Sequence, residues 1–181
     1  MARITPESIP ELKAVGRTTG TPSDLEGLSF QTACPPDVGP RTRIVAVCGI
    51  TDEADAAGPN RDGWFLTDFY LFHHLFSHVH GPTPNQIWMT SEDPERLVLK
   101  YKEYAHGDPR GERRIVLDKH ILPAIRQSSS VRVLPRSDLL QRFISTLKEQ
   151  SRLAKENSEH LLVLIFGHGD MDTFGECHIL Y

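Results

Sequence analysis

Cysteine is scarce: three occur in 181 residues, Cys34, Cys48 and Cys177. Their number is odd and no two form a Cys-x-x-Cys unit, so neither a disulfide scaffold nor a zinc site is expected. No stretch approaches the ~18 consecutive apolar residues of a membrane span, and residues 1–8 hold no apolar leader core. A reducing, cytoplasmic home is the expectation. An excess of one charge is missing too. Twenty Lys and Arg against 24 Asp and Glu give a formal −4, with no basic footprint for nucleic acid or for an anionic membrane. Neither is expected as a partner. Gly-x-Ser-x-Gly, Gly-x-x-x-x-Gly-Lys and Gly-x-Gly-x-x-Gly are all lacking, so no motif supports a small-molecule hydrolase or a nucleotide binder.

What is present is an ordinary globular composition, 39% apolar and 24% charged, at a length suited to one domain. Its most apolar stretch is His160-Leu161-Leu162-Val163-Leu164-Ile165-Phe166, followed by Gly167-His168-Gly169. Six consecutive apolar residues without alternation predict a central, parallel-type strand buried on both faces, and the glycines stop any helix there. Ligands of open parallel sheets gather at the carboxyl ends of the strands, which makes His168 the best-placed chemical group in the chain. The plainer alternative is a histidine that hydrogen-bonds a neighbouring loop.

The other strong apolar run, Arg43 to Ile50, reads as the first buried strand, with Cys48 packed as a small hydrophobe. Residues 51–62, rich in Asp, Ala, Gly, Pro and Asn, form a loop at that strand's carboxyl end. Phe65, Phe69, Phe72, Phe76 and Val79 then recur at helical spacing, predicting a helix over 63–79 whose aromatic stripe packs on the sheet. Asp62 is its expected cap. His73, His74, His78 and His80 resemble a metal cluster in spacing, but without a carboxylate fixed beside them a solvated helix face is the reading, and no metal is expected. Residues 85–90 predict a second strand, and a helix opening at Ser91-Glu92-Asp93-Pro94 carries Leu97, Val98, Tyr101 and Ala105 before Gly107 closes it. Residues 114–117 read as a short strand, 119–126 as a helical turn, and 130–135 as a strand near an edge. Ser137-Asp138 should cap a helix that stops at Asn157. Residues 1–42, with scattered Pro, Gly, Thr and Ser, read as an irregular leader containing Cys34. Strands separated by helices imply right-handed crossovers and a parallel sheet.

An apolar strand ending in His-Gly resembles the histidine half of the Cys–His dyad in caspase-like cysteine peptidases, among them caspases, metacaspases and legumain. Residues 170–181 resemble the short hairpin that follows. The order strand, Asn60-Arg61-Asp62-Gly63, helix resembles the arginine-bearing loop after the first caspase strand, where the arginine helps bind an acidic substrate side chain. Trp64-Phe65-Leu66-Thr67 stands where caspases carry small polar residues. The resemblance implies a three-layer caspase-like α/β fold with a mainly parallel sheet, covering residues 43–181 and incomplete at its C-terminal side. It implies His168 as general base and acid, Gly169 as an oxyanion amide donor, Arg61 as a substrate-binding residue, and no cofactor. The catalytic cysteine is expected beyond this chain, on a further strand at the same rim. Cys177 is ranked below an incidental thiol. The expected partners are a peptide or protein substrate and the remaining half of the domain or a partner chain. A non-catalytic caspase-like module that acts through interaction is the alternative.

Overall fold

Residues 42 to 48 are apolar apart from their first two positions, and every one of them is buried in strand β1 (Thr42–Cys48). The computed structural model describes residues 38–80, 85–108 and 110–169, with only the backbone described at 78–80. Around β1 run α1 (Gly63–His80), β2 (Gln86–Thr90), α2 (Pro94–Tyr101), β3 (Tyr104–Gly107), β4 (Arg113–Leu117), α3 (Leu122–Gln127), β5 (Val131–Val133), α4 (Arg136–Asn157) and β6 (His160–Phe166). Four strands make a parallel sheet in the order β5-β2-β1-β6. The architecture is α/β in three layers, with helices on both faces of that sheet.

Alternation along β1 assigns the two faces. Val45 and Val47 join Ile87 and Met89 of β2 and Leu139 and Phe143 of α4 in one apolar cluster. On the opposite face Trp88 is fully buried, its ring 5.3 Å from Phe69 and 6.3 Å from Phe76 of α1. Phe69 and Phe72 also reach Phe166 of β6, at 5.9 and 5.7 Å. The expected aromatic stripe is therefore the contact between α1 and the sheet. Val79 has no described side chain. The buried indole N–H of Trp88 donates to Gln86 Oε1 at 3.0 Å, and the Gln86 amide donates in turn to the Phe76 carbonyl. Beside Phe69, the buried Tyr70 hydroxyl has no hydrogen-bond partner among the described residues.

Register brings the two most apolar runs together. β1 and β6 are parallel neighbours, Cys48 opposite Phe166. β6, however, is the outermost strand of the order among the described residues, and most of its positions are half-buried or exposed, with Ile165 56% accessible. A continuous apolar run records apolar contact on both faces; it does not record position within the sheet.

Other expectations are corrected. α2 stops at Tyr101, because Lys102 takes a left-handed φ of 73° and its N–H caps back to the Val98 carbonyl. Residues 104–107, expected as the end of that helix, form instead a hairpin with β4 as a separate antiparallel sheet. The N-cap of α4 is Pro135 without a side-chain bond, whereas Ser137 donates to Asp138. The end of α4 at Asn157 is as expected, with Ser158 left-handed behind it. His73 is not on a solvated face. It is buried edge-on against Trp88, 2.8 Å from the Ser130 hydroxyl, and burial, aided by the charge of His74, pulls its pKa down to about 4. Among the described residues no three His, Cys, Asp or Glu side chains converge as metal ligands, and no helix is long and apolar enough to cross a membrane. The leader expected over 1–42 falls outside the described residues except for its last five positions.

Candidate active site

The parallel register of β1 and β6 carries both chains past the same rim of the sheet. Gly49 donates its N–H to the Phe166 carbonyl at 2.9 Å, so the two strand ends separate only after residue 49. The approach is close: a Cβ on Gly167 would lie 3.1 Å from the Gly49 carbonyl oxygen, tighter than a side chain tolerates without a shift. Beyond this point β1 enters the loop to α1, and β6 exposes His168.

That loop is tied down along its length. The Tyr104 hydroxyl donates to the Ala57 carbonyl at 2.5 Å, Lys100 pairs with Asp55, and successive turns close on the carbonyls of Glu53, Asp55 and Gly58. Its last residue is Asp62, whose side chain is 12% exposed. One Asp62 oxygen, Oδ2, accepts the Thr51 backbone N–H at 2.8 Å; the other, Oδ1, lies 2.8 Å from His168 Nε2. The carboxylate thus clamps the two ends of the loop together and holds the histidine. It does not cap the first turn of α1, as its position in the sequence suggested. The Thr51 N–H first, and the His168 ring second, bring the Asp62 carboxyl down to about 2.

With Asp62 ionised, the neutral imidazole keeps its proton on Nε2, facing the carboxylate, and leaves the Nδ1 lone pair available. The ring cannot swing freely, because Phe65 packs edge-on to it at 4.8 Å and Trp64 lies at 6.4 Å. The His168 side chain is still 55% exposed. A histidine oriented by a buried carboxylate, supported by an aromatic ring and open on its other nitrogen is equipped for proton transfer.

Gly169 follows directly, exposed and irregular, and its N–H makes no hydrogen bond among the described residues. Arg61 lies on the same loop as Asp62, but its guanidinium donates to the Ala54 carbonyl at 3.0 Å and sits 3.6 Å from Glu53. Cys48 is buried, and burial pushes its thiol far above the ordinary range, so it is packing and not a nucleophile. Cys34 and Cys177 lie outside the described residues. Beside His168 a cleft of about 440 Å3 opens between the end of β6 and the start of α4.

Sequence reasoning placed His168 and the 51–62 loop on one rim but missed Asp62 as the histidine's partner. The available signal was an aspartate at the mouth of a loop on the histidine's rim, immediately before a glycine. Gly63 is required there, since a Cβ would fall 2.4 Å from the Gly58 carbonyl oxygen and 2.5 Å from that of Ala57. Gly63→Ala should therefore destabilise the fold by about 1–3 kcal/mol and loosen Asp62, read as a lower denaturant midpoint. An unchanged midpoint would contradict the tight packing of this turn.

The clamp also predicts a pH dependence. A carboxyl whose folded pKa is depressed contributes stability that is present above its unfolded pKa near ~4 and is lost as pH falls through the folded value of about 2. Between those limits the native chain should lose about 1 kcal/mol, a figure discounted for solvent at the rim, and Asp62→Asn should lack this portion of the acid slope. Denaturation midpoints measured from pH 5 to pH 2 check it; parallel slopes for both chains would remove the clamp.

No protein-family model matches the chain, and no curated protein or solved structure matches it either.

Proposed function

We propose that this chain supplies the histidine-bearing part of a caspase-like cysteine endopeptidase, with the thiolate delivered from a strand outside the described residues. The observation that carries the reading is the pairing of His168 Nε2 with the Asp62 carboxylate at the carboxyl rim, which leaves Nδ1 open. In the reaction, Nδ1 takes the thiol proton and the sulfur attacks the scissile carbonyl carbon. The carbonyl oxygen then becomes an oxyanion, and the Gly169 N–H is the donor proposed for it. The imidazolium gives its proton to the amide nitrogen as the C–N bond breaks, and water, deprotonated by the same nitrogen, hydrolyses the thioester. Asp62 stays ionised throughout and stabilises the imidazolium. Because β6 is the outermost described strand, a cysteine-bearing strand beside it would bring its end to the His168 rim.

The test joins the chain to a cysteine-bearing segment and measures cleavage of peptide amides. Cleavage blocked by iodoacetamide is expected. No cleavage, or cleavage indifferent to thiol alkylation, would contradict the reading. The exposed apolar side chains of β6 and α4 favour a second reading, a non-catalytic module that binds a partner through that side. It predicts a stable complex without hydrolysis.

A further inference from the structure

Resting on the peptidase reading, we propose that the cleft beside His168 is a specificity pocket for a bulky apolar side chain, aliphatic or aromatic, next to the bond that is cut. Its floor is Val47 of β1 and Ile165 of β6, its wall Leu139, Leu140 and Phe143 at the start of α4, and His168 stands at its mouth. At about 440 Å3 it lies within the range of ligand sites, roughly 300–1,000 Å3, and has room for one large side chain with some backbone.

Charge decides what it accepts. Among the described residues no Asp, Glu, Lys or Arg lines the cleft, and apart from backbone atoms the only polar side chains they bring to it are those of Thr51 and His168. A substrate carboxylate entering it would lose water and meet no cation. Arg61, at the position that binds acid in the resembled family, is engaged by the Ala54 carbonyl and Glu53. Arg136, at the start of α4, pairs with Asp52 at 2.8 Å. These two guanidiniums, of Arg61 and Arg136, are thus turned to the protein's own acceptors. Conversely, Leu140 is 68% exposed and Ile165 56%, so an apolar side chain seated there removes from water surface that the fold itself leaves wet.

The experiment titrates the 181-residue chain, labelled in its Leu and Ile methyl groups and its His rings, with N-acetyl-leucine methylamide and with N-acetyl-aspartate methylamide. Saturable shifts of the Leu139, Leu140 and Ile165 methyls and of the His168 ring are expected with the leucine probe. Binding of the aspartate probe should be at least about tenfold weaker. Leu140→Asp, at an exposed position, should abolish the leucine shifts while keeping a folded spectrum; should it not fold, Leu140→Ser should weaken them in the same direction. Equal or tighter binding of aspartate overturns the proposal, as does leucine binding that leaves these methyls unmoved or no saturable binding at all. The peptidase reading fails separately. Cleavage by the chain joined to a cysteine-bearing segment that survives His168→Ala removes it whatever the amides do.

Discussion

On the peptidase reading, replacing His168 by alanine should lower peptide cleavage by the chain joined to a cysteine-bearing segment about 10²- to 10⁴-fold while leaving the folded chain almost as stable as before. Both halves of that expectation come from the same geometry. The imidazole is 55% exposed, so its removal opens no core cavity, but it is the only titratable group among the described residues lining the cleft at the sheet's rim. Asp62 acts through it. Asp62→Asn would keep the shape of the contact but replace an acceptor with a group that can donate, favouring the wrong tautomer. Cleavage should fall again, and the change should show in the pH profile as well as in the rate. Activity that tolerates either substitution would leave His168 as a surface histidine bonded to a loop.

The largest effect on stability is expected from Trp88→Ala. The indole is fully buried at the centre of the α1 face of the sheet, in contact with Phe69, His73 and Phe76, and its N–H is bonded to Gln86. Removing it leaves a cavity among aromatic side chains that helix and sheet cannot both close, together with a Gln86 carbonyl deprived of its donor. A loss of about 3–5 kcal/mol is expected, a large part of a domain's total stability. Urea denaturation measures it. A loss under ~1 kcal/mol would mean that the aromatic layer is not the core described here.

Much of this layer could be read in the residues. Two apolar runs, 43–50 and 160–166, announced strands of a parallel sheet, and the phenylalanine spacing announced the face that α1 turns to them. What the runs did not carry was order within the sheet: β6 is as apolar as an inner strand because both its faces meet helices, yet it lies outermost among the described strands. The β3–β4 hairpin was hidden for another reason. Tyr104 and Ala105 continue a helical spacing, and only pairing with residues 113–117 together with the left-handed Lys102 turns them into a strand. Long-range pairing overrode local pattern. The site divided in the same way. His168 stood out because glycines flank it after a strand, whereas Asp62 gave the ordinary signature of a helix cap, and its bond to His168 spans 106 positions. Such a contact exists only once β1 and β6 are in register.

The most direct measurement is the protonation state of the two His168 ring nitrogens, read from ¹⁵N–¹H correlation spectra of the neutral imidazole. The geometry predicts the tautomer with hydrogen on Nε2 and a bare Nδ1, shifting toward the other tautomer or an averaged ring in Asp62→Asn. A ring protonated on Nδ1, or one averaging freely in the native chain, would contradict the account.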